Sequence, residues 1–148
     1  MVEFAIVIPI FLLLVFGIME FARLFFVQDN VQRAVAATAR YASIGTHESG
    51  TDPSTGKPYT RVKSITDYLQ QQASEAKALG ASLSNIQISS TYGGAGTAGG
   101  PQDIATISLT VTVPLWTPLI SRGFPNGQYT FTSSASTKNE PFPPNQAN

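Results

Sequence analysis

Residues 1–28 read MVEFAIVIPIFLLLVFGIMEFARLFFVQ. Between Glu3 and Glu20 this stretch is uncharged, and Ile6, Ile8, Phe11, Leu13, Val15, Phe16 and their neighbours place apolar side chains on every face of a helix. Such a helix needs lipid or other protein around its whole circumference. Phe4 to Met19 extends about 24 Å as a helix, somewhat short of the roughly 20 residues that usually cross a bilayer. Glu20 and Arg23 are three residues apart and can pair on one face, and Leu24 to Val27 is apolar again. Two readings follow. The segment crosses a membrane with Arg23 snorkelling, or it leaves the membrane and packs against copies of itself.

Glu3 is the lone acid at the head of this rod. Near a helix N-terminus it meets the favourable end of the dipole and can stay at the membrane interface. If several rods pack side by side, Glu3 is buried instead, and an unpaired buried charge costs several kcal/mol. The first basic residue is Arg23, so the cation at that depth would be the α-amino group of a neighbouring chain. That contact would set the axial register between subunits. Pro9 removes one helical hydrogen bond and clashes with the carbonyl of Ala5. It implies a mild kink, or a local unwinding that shapes packing between copies. Gly17 weakens the helix and admits a close neighbour. The candidate assembly residues are therefore Glu3, Phe4, Pro9, Phe11, Phe16, Gly17, Glu20 and Arg23.

The segment makes a poor secretory signal, which would begin with positive charge and end in small residues. Phe21, Leu24, Phe25 and Phe26 stand where a cleavage site would be. A retained helix is expected. Since membrane helices normally carry cytoplasmic Lys or Arg, a basic leader is expected ahead of Met1 in the precursor.

The helical pattern continues beyond the rod. Leu24, Val27, Val31, Val35 and Thr38 keep a three-to-four spacing, with Asp29, Gln32, Arg33 and Arg40 off the stripe and Gly45 as a stop. One helix from about Val2 to Ser43 is predicted. Residues 45–60 form a polar, turn-rich loop. Arg61 to Leu79 reads as a second, amphipathic helix, capped by Thr60 and ended by Gly80. From Asn85 the period becomes two: Ile86 and Ile88, then Ile107, Leu109, Val111 and Val113, then Tyr129, Phe131, Ser133 and Ala135. The predicted fold class is α+β. A long hydrophobic helix protrudes from a small domain in which a second helix packs on a three-stranded antiparallel sheet. The division is an assembly or membrane helix over 1–28, a head over 29–140, and a Pro-rich, extended tail over 141–148.

Composition removes most chemistries. Of 148 residues only 12% are charged, net charge is zero and cysteine is absent. There is no basic cluster for nucleic acid, no thiolate site, and a single histidine, His47. No nucleophile or metal motif occurs, so neither an enzyme nor a cofactor is expected. Gly93, Gly94, Gly96, Gly99 and Gly100 invite a phosphate-loop reading, but the run precedes a strand and lacks the GK[ST] ending. A flexible hairpin loop accounts for it. Glu48 and Asp52 do not match an EF-hand spacing. N-x-[ST] acceptors are absent, so any glycans would sit on Ser or Thr.

With its VEFA, a Pro six residues after the Glu, and FGIMEFARL, the N-terminus resembles TadE-like pseudopilins of tight-adherence (Flp-type) pilus systems. The order of elements through ISLTVTVPLW and YTFTSSASTKNE is similar as well. The resemblance implies a pilin-like fold, a leader removed by a prepilin peptidase, a helix held in the inner membrane, and later use by a pilus assembly platform. The implied partners are further copies in a helical filament, and the implied location is the cell surface. In pilins the acid–aromatic pair usually stands at the fifth position; here Glu3-Phe4 stands at the third. Three roles remain open: principal pilin, minor pseudopilin of the machinery or tip, or membrane-anchored periplasmic binding domain.

Overall fold

The computed structural model describes the backbone over residues 2–142 and side chains from Phe4 onward. Residues 143–148 of the expected tail and the Glu3 side chain lie outside the described residues. Helix α1 spans Val2–Ser43 and runs unbroken through Pro9. It is followed by α2 (Arg61–Gln72), α3 (Ser74–Ala78), β1 (Ser82–Ser90), β2 (Gly94–Ala95), β3 (Ile104–Pro114), α4 (Pro118–Ser121) and β4 (Gln128–Lys138). The strands form one antiparallel sheet in the order β2-β1-β3-β4. The fold class is α+β as the sequence predicts.

The amphipathic half of α1 lies in the core. Leu24, Val27, Val31, Val35 and Thr38 are all buried, while Asp29, Gln32, Arg33 and Arg40 are exposed. Facing them, the inner side of β3 contributes Ala105, Ile107, Leu109, Val111 and Val113, and α2 contributes Ile65 and Leu69. Burying each large aliphatic side chain stabilises the fold by roughly 1.5–3 kcal/mol, so this sandwich of α1 between sheet and α2 supplies most of the driving force. The outer face of β3 and β4 is polar. Cross-strand hydroxyl pairs Thr106–Ser136, Thr110–Thr132 and Thr112–Thr130 lie 2.9–3.1 Å apart.

The structure corrects three expectations. The sheet has four strands, because the glycine-rich run folds back on β1, pairing Ser89 with Ala95 and Ser90 with Gly94. That run is also no loose hairpin: Asn139 Nδ2 donates to the carbonyls of Ala98 and Gly100, and Arg61 donates to that of Gly99. The second helix divides at Ala73, although the Ala73 amide still reaches the Leu69 carbonyl and the Lys77 amide that of Ala73. On α1, Glu20, Arg23, Leu24 and Val27 are buried against the head; the loop after β3 reaches Glu20, and Leu24 and Val27 join the core.

At the far end of α1, Gly45 adopts φ +72, and a Cβ there would overlap the Phe142 ring. The chain's C-terminal part returns to this point, with the Glu140 amide donating to the Ser43 carbonyl at 2.7 Å. Arg61 binds it all together. Its guanidinium donates to the carbonyls of Ala42 and Gly99, each at 2.6 Å, and to Asn139 Oδ1 at 3.1 Å. It also lies 4.7 Å from the centre of the Phe142 ring. Its burial disfavours the charged form and pulls its pKa down. Replacing Arg61 by Met leaves those buried acceptors unpaired. We expect a loss of about 2–4 kcal/mol, read as a lowered unfolding midpoint by circular dichroism of the detergent-solubilised full chain.

Candidate functional site: the apolar rod and its junction with the head

The rod is open. Phe4, Ile6, Ile10, Phe11, Leu14, Phe16, Ile18 and Met19 are each more than half exposed, and Pro9 is exposed as well. Among the described residues, α1 is the one helix long and apolar enough to cross a membrane. Of the residues the sequence singles out, Phe4, Pro9, Phe11 and Phe16 lie on this bare surface, while Gly17, Glu20 and Arg23 meet the head.

At the meeting point a charged pair is closed off from its surroundings. Glu20 and Arg23 lie one helical turn apart and bond at 3.1 Å, with both side chains buried. The second oxygen of Glu20 accepts the amides of Trp116 and Thr117 at 3.0 and 3.1 Å, and the Thr117 hydroxyl at 3.1 Å. Arg23 donates to the Leu79 carbonyl through Nε at 3.1 Å and Nη2 at 2.6 Å, and to the Pro114 carbonyl at 2.9 Å. Its guanidinium carbon sits 3.7 Å from the centre of the Trp116 ring, a cation–π contact. Leu79 ends the α3 turn and Pro114 ends β3, so one side chain takes up carbonyls that the two elements leave open. Arg23 therefore does not snorkel; it is roofed by Trp116.

Sequence reasoning pairs Glu20 with Arg23 but misses Trp116, Thr117 and Leu79, which lie more than 50 positions away. The only sequence signal was a solitary charged couple inside an apolar run, which demands distant polar partners. Beside the pair opens a mainly apolar groove of about 770 Å³, lined by Phe16, Met19, Phe26, Leu79, Trp116 and Pro118, with the bonded Glu20, Arg23 and Thr117 at its wall. Gly17 faces Ile120, whose Cδ1 would lie 3.9 Å from a Cβ at that position. The small residue thus meets the chain's own α4.

The loop acids hold no ion-binding arrangement. Asp52 is spent on its own turn: Oδ1 accepts the Ser54 amide and hydroxyl at 2.9 and 2.7 Å, and Oδ2 accepts the Thr55 hydroxyl at 2.9 Å. No group of potential ligand side chains that could hold a metal occurs among the described residues.

Residues 1–40 match the family model described as TadE-like protein. Neither the curated proteins nor the solved structures contain a match to this chain. The matched segment covers the rod, the Glu20–Arg23 pair and most of the amphipathic half of α1. Over that segment the chain is similar to TadE-like proteins of the Tad pilus system, and the segment holds the helix long and apolar enough to cross a membrane.

Glu20→Ala strands two amides and a hydroxyl and leaves Arg23 without its counter-charge. We expect a loss of about 2–4 kcal/mol, with Glu20→Gln, which keeps an acceptor, costing less; thermal unfolding of the two variants side by side checks the order. A second expectation concerns pH. Hydrogen bonds from Ser54, then Thr55, hold the Asp52 carboxyl below the ordinary carboxylate range. Its contribution to loop order is complete above the unfolded value of about 3.9 and disappears as pH falls through the lower folded value. Amide exchange at Ser54, followed by NMR on acidification, should accelerate only below the ordinary Asp range.

Proposed function

We propose that this chain is a structural pilin. It is held in the inner membrane by α1, processed by a prepilin peptidase, and then polymerised by the pilus assembly platform into a Tad-type filament at the cell surface. The observation that carries this reading is the bare rod joined to a head that seals the adjoining charges. Lipid can be exchanged for neighbouring rods without exposing an ion, because Glu20 and Arg23 keep the same partners in either surrounding. Phe4, Phe11 and Phe16 then pack between copies, and Glu3 pairs with a neighbour's amino group to fix the axial register. No catalytic step and no cofactor belongs to this role; adhesion or surface attachment does.

A minor pseudopilin of the machinery or tip is the second reading. The resemblance of the N-terminal segment to TadE-like proteins supports it. Sheared surface material separates the two: this chain as the bulk of the filament mass supports the principal subunit, and a trace amount supports the minor one. Glu3→Gln and Glu3→Ala should abolish filaments in electron micrographs while the protein stays in the membrane fraction. Normal filaments from either variant would refute the pairing role.

A further inference from the structure

The loop between β3 and β4 has an exposure pattern that the clasp does not explain. Trp116 is 67% exposed and Leu119 58% exposed, although Trp116 directly follows the buried core residue Leu115. On α1, at the same level, Phe21, Phe25 and Phe26 are each more than half exposed. Because Ile120 reaches Gly17 and Trp116 covers Arg23, the loop lies alongside the stretch of α1 from Gly17 to Phe26. These exposed aromatic and aliphatic side chains form a collar around the end of the rod, continuous with its bare surface.

Length gives the collar a purpose. Phe4 to Met19 covers about 24 Å, whereas the hydrocarbon core of a bilayer is about 30 Å thick. Carrying the apolar surface on to Phe26 gives about 34 Å. Glu20 and Arg23 would forbid this if they faced lipid, but the head has taken both away. Every oxygen of Glu20 is occupied, the Arg23 nitrogens bond to carbonyls, and the indole of Trp116 covers the guanidinium. What remains outside is Trp, a residue type that settles at membrane interfaces, with Leu and Phe, which bury in the acyl boundary. Arg122, exposed just beyond α4, supplies a cation at the headgroup level.

We propose that the Trp116–Ile120 loop is a membrane-binding element. Together with Phe21, Phe25 and Phe26 it inserts into the outer edge of the bilayer, supplies the length that the rod lacks, and receives lipid acyl chains in the groove between Met19, Phe26 and Trp116. This rests on the reading of α1 as a membrane anchor. The occupant is lipid, because the collar continues a lipid-type surface and the span deficit is a deficit against bilayer thickness. Before polymerisation the head is thus seated in the membrane rather than suspended above it.

Trp116 is the only tryptophan, so the native chain reports its own depth. The full-length protein is reconstituted at high lipid excess into vesicles of phosphatidylcholine and phosphatidylglycerol. Its fluorescence is then quenched either by lipids brominated near the headgroup end or the chain terminus, or by aqueous iodide. The expected result is blue-shifted emission, quenched severalfold more by shallow bromine than by either deep bromine or iodide. Leu119→Glu, at an exposed position outside the clasp, should shift the balance towards iodide. Water-like emission quenched by iodide, in protein that floats with the vesicles, overturns the proposal while leaving the anchor intact. Failure to float removes the anchor and the proposal together. Blue-shifted emission that ignores brominated lipid and reddens as lipid dilutes the protein means that a second copy covers the collar, which also overturns it.

Discussion

Arg23 is a cation planted on a helix that is otherwise greasy for six turns, and the fold is arranged around satisfying it. Left in an apolar surrounding with Glu20 alone, the pair would not recover its desolvation cost. The head resolves this by bringing the Leu79 carbonyl from the end of α3 and the Pro114 carbonyl from the end of β3 to the same guanidinium. The helical layer and the sheet are thereby tied to one point on α1. Glu20 does the complementary work by taking the amides that open the β3–α4 loop. Arg61 repeats the device at the other end, collecting the Ala42 carbonyl at the close of α1 together with the glycine-rich turn. The amphipathic half of α1 is thus fastened at both ends by arginines whose main partners are carbonyl oxygens, with apolar packing between.

Periodicity made the skeleton readable. Where a helix or strand buries one face, its apolar spacing is visible, and Val27–Val31–Val35 and Ile107–Leu109–Val111–Val113 sit in the core where that spacing puts them. The failures have physical causes. β1 begins three residues earlier than its alternation shows, at Ser82, because a bulge intervenes. The register steps from Ser84↔Thr110 to Gln87↔Ser108, with Asn85 at φ 48. Leu83 and Ile88 have opposite parity and still belong to the same inner face, since Leu83 is opposite Val111 and Ile88 opposite Ile107. An extra residue is required to reconcile them, and period-two reading cannot anticipate one. β2 escaped because two residues, Gly94 and Ala95, have no alternation to show.

The site divides in the same way. The rod is legible because apolarity around a full helix is a property of consecutive residues. The clasp is half legible: the i, i+3 spacing of Glu20 and Arg23 gives the pair, but Trp116, Thr117 and Leu79 reach it through tertiary structure alone. Their role also changes what the pair means. Taken from sequence, Arg23 interrupts the membrane segment; enclosed by the head, it stops being an interruption and becomes the place where the segment is attached.

A head proposed to crowd against identical heads faces a further constraint, which the composition meets. Like charges on repeating surfaces repel, and this domain has few: the outer sheet face uses hydroxyls bonded to one another across strands, as in Thr110–Thr132 and Thr112–Thr130. β4 lies at the sheet edge and carries no charge from Gln128 to Thr137, although charge is a usual guard against edge-to-edge pairing. The opposite edge is guarded differently, by the bulge at Asn85 and by the short β2. An uncharged edge is tolerable where a membrane-held helix restricts how two heads can approach, because the geometry that would align two β4 edges must also satisfy the rods. In the proposed filament subunit, the apolar rod would thus limit the encounters of the domain it carries and let a surface of low charge remain specific.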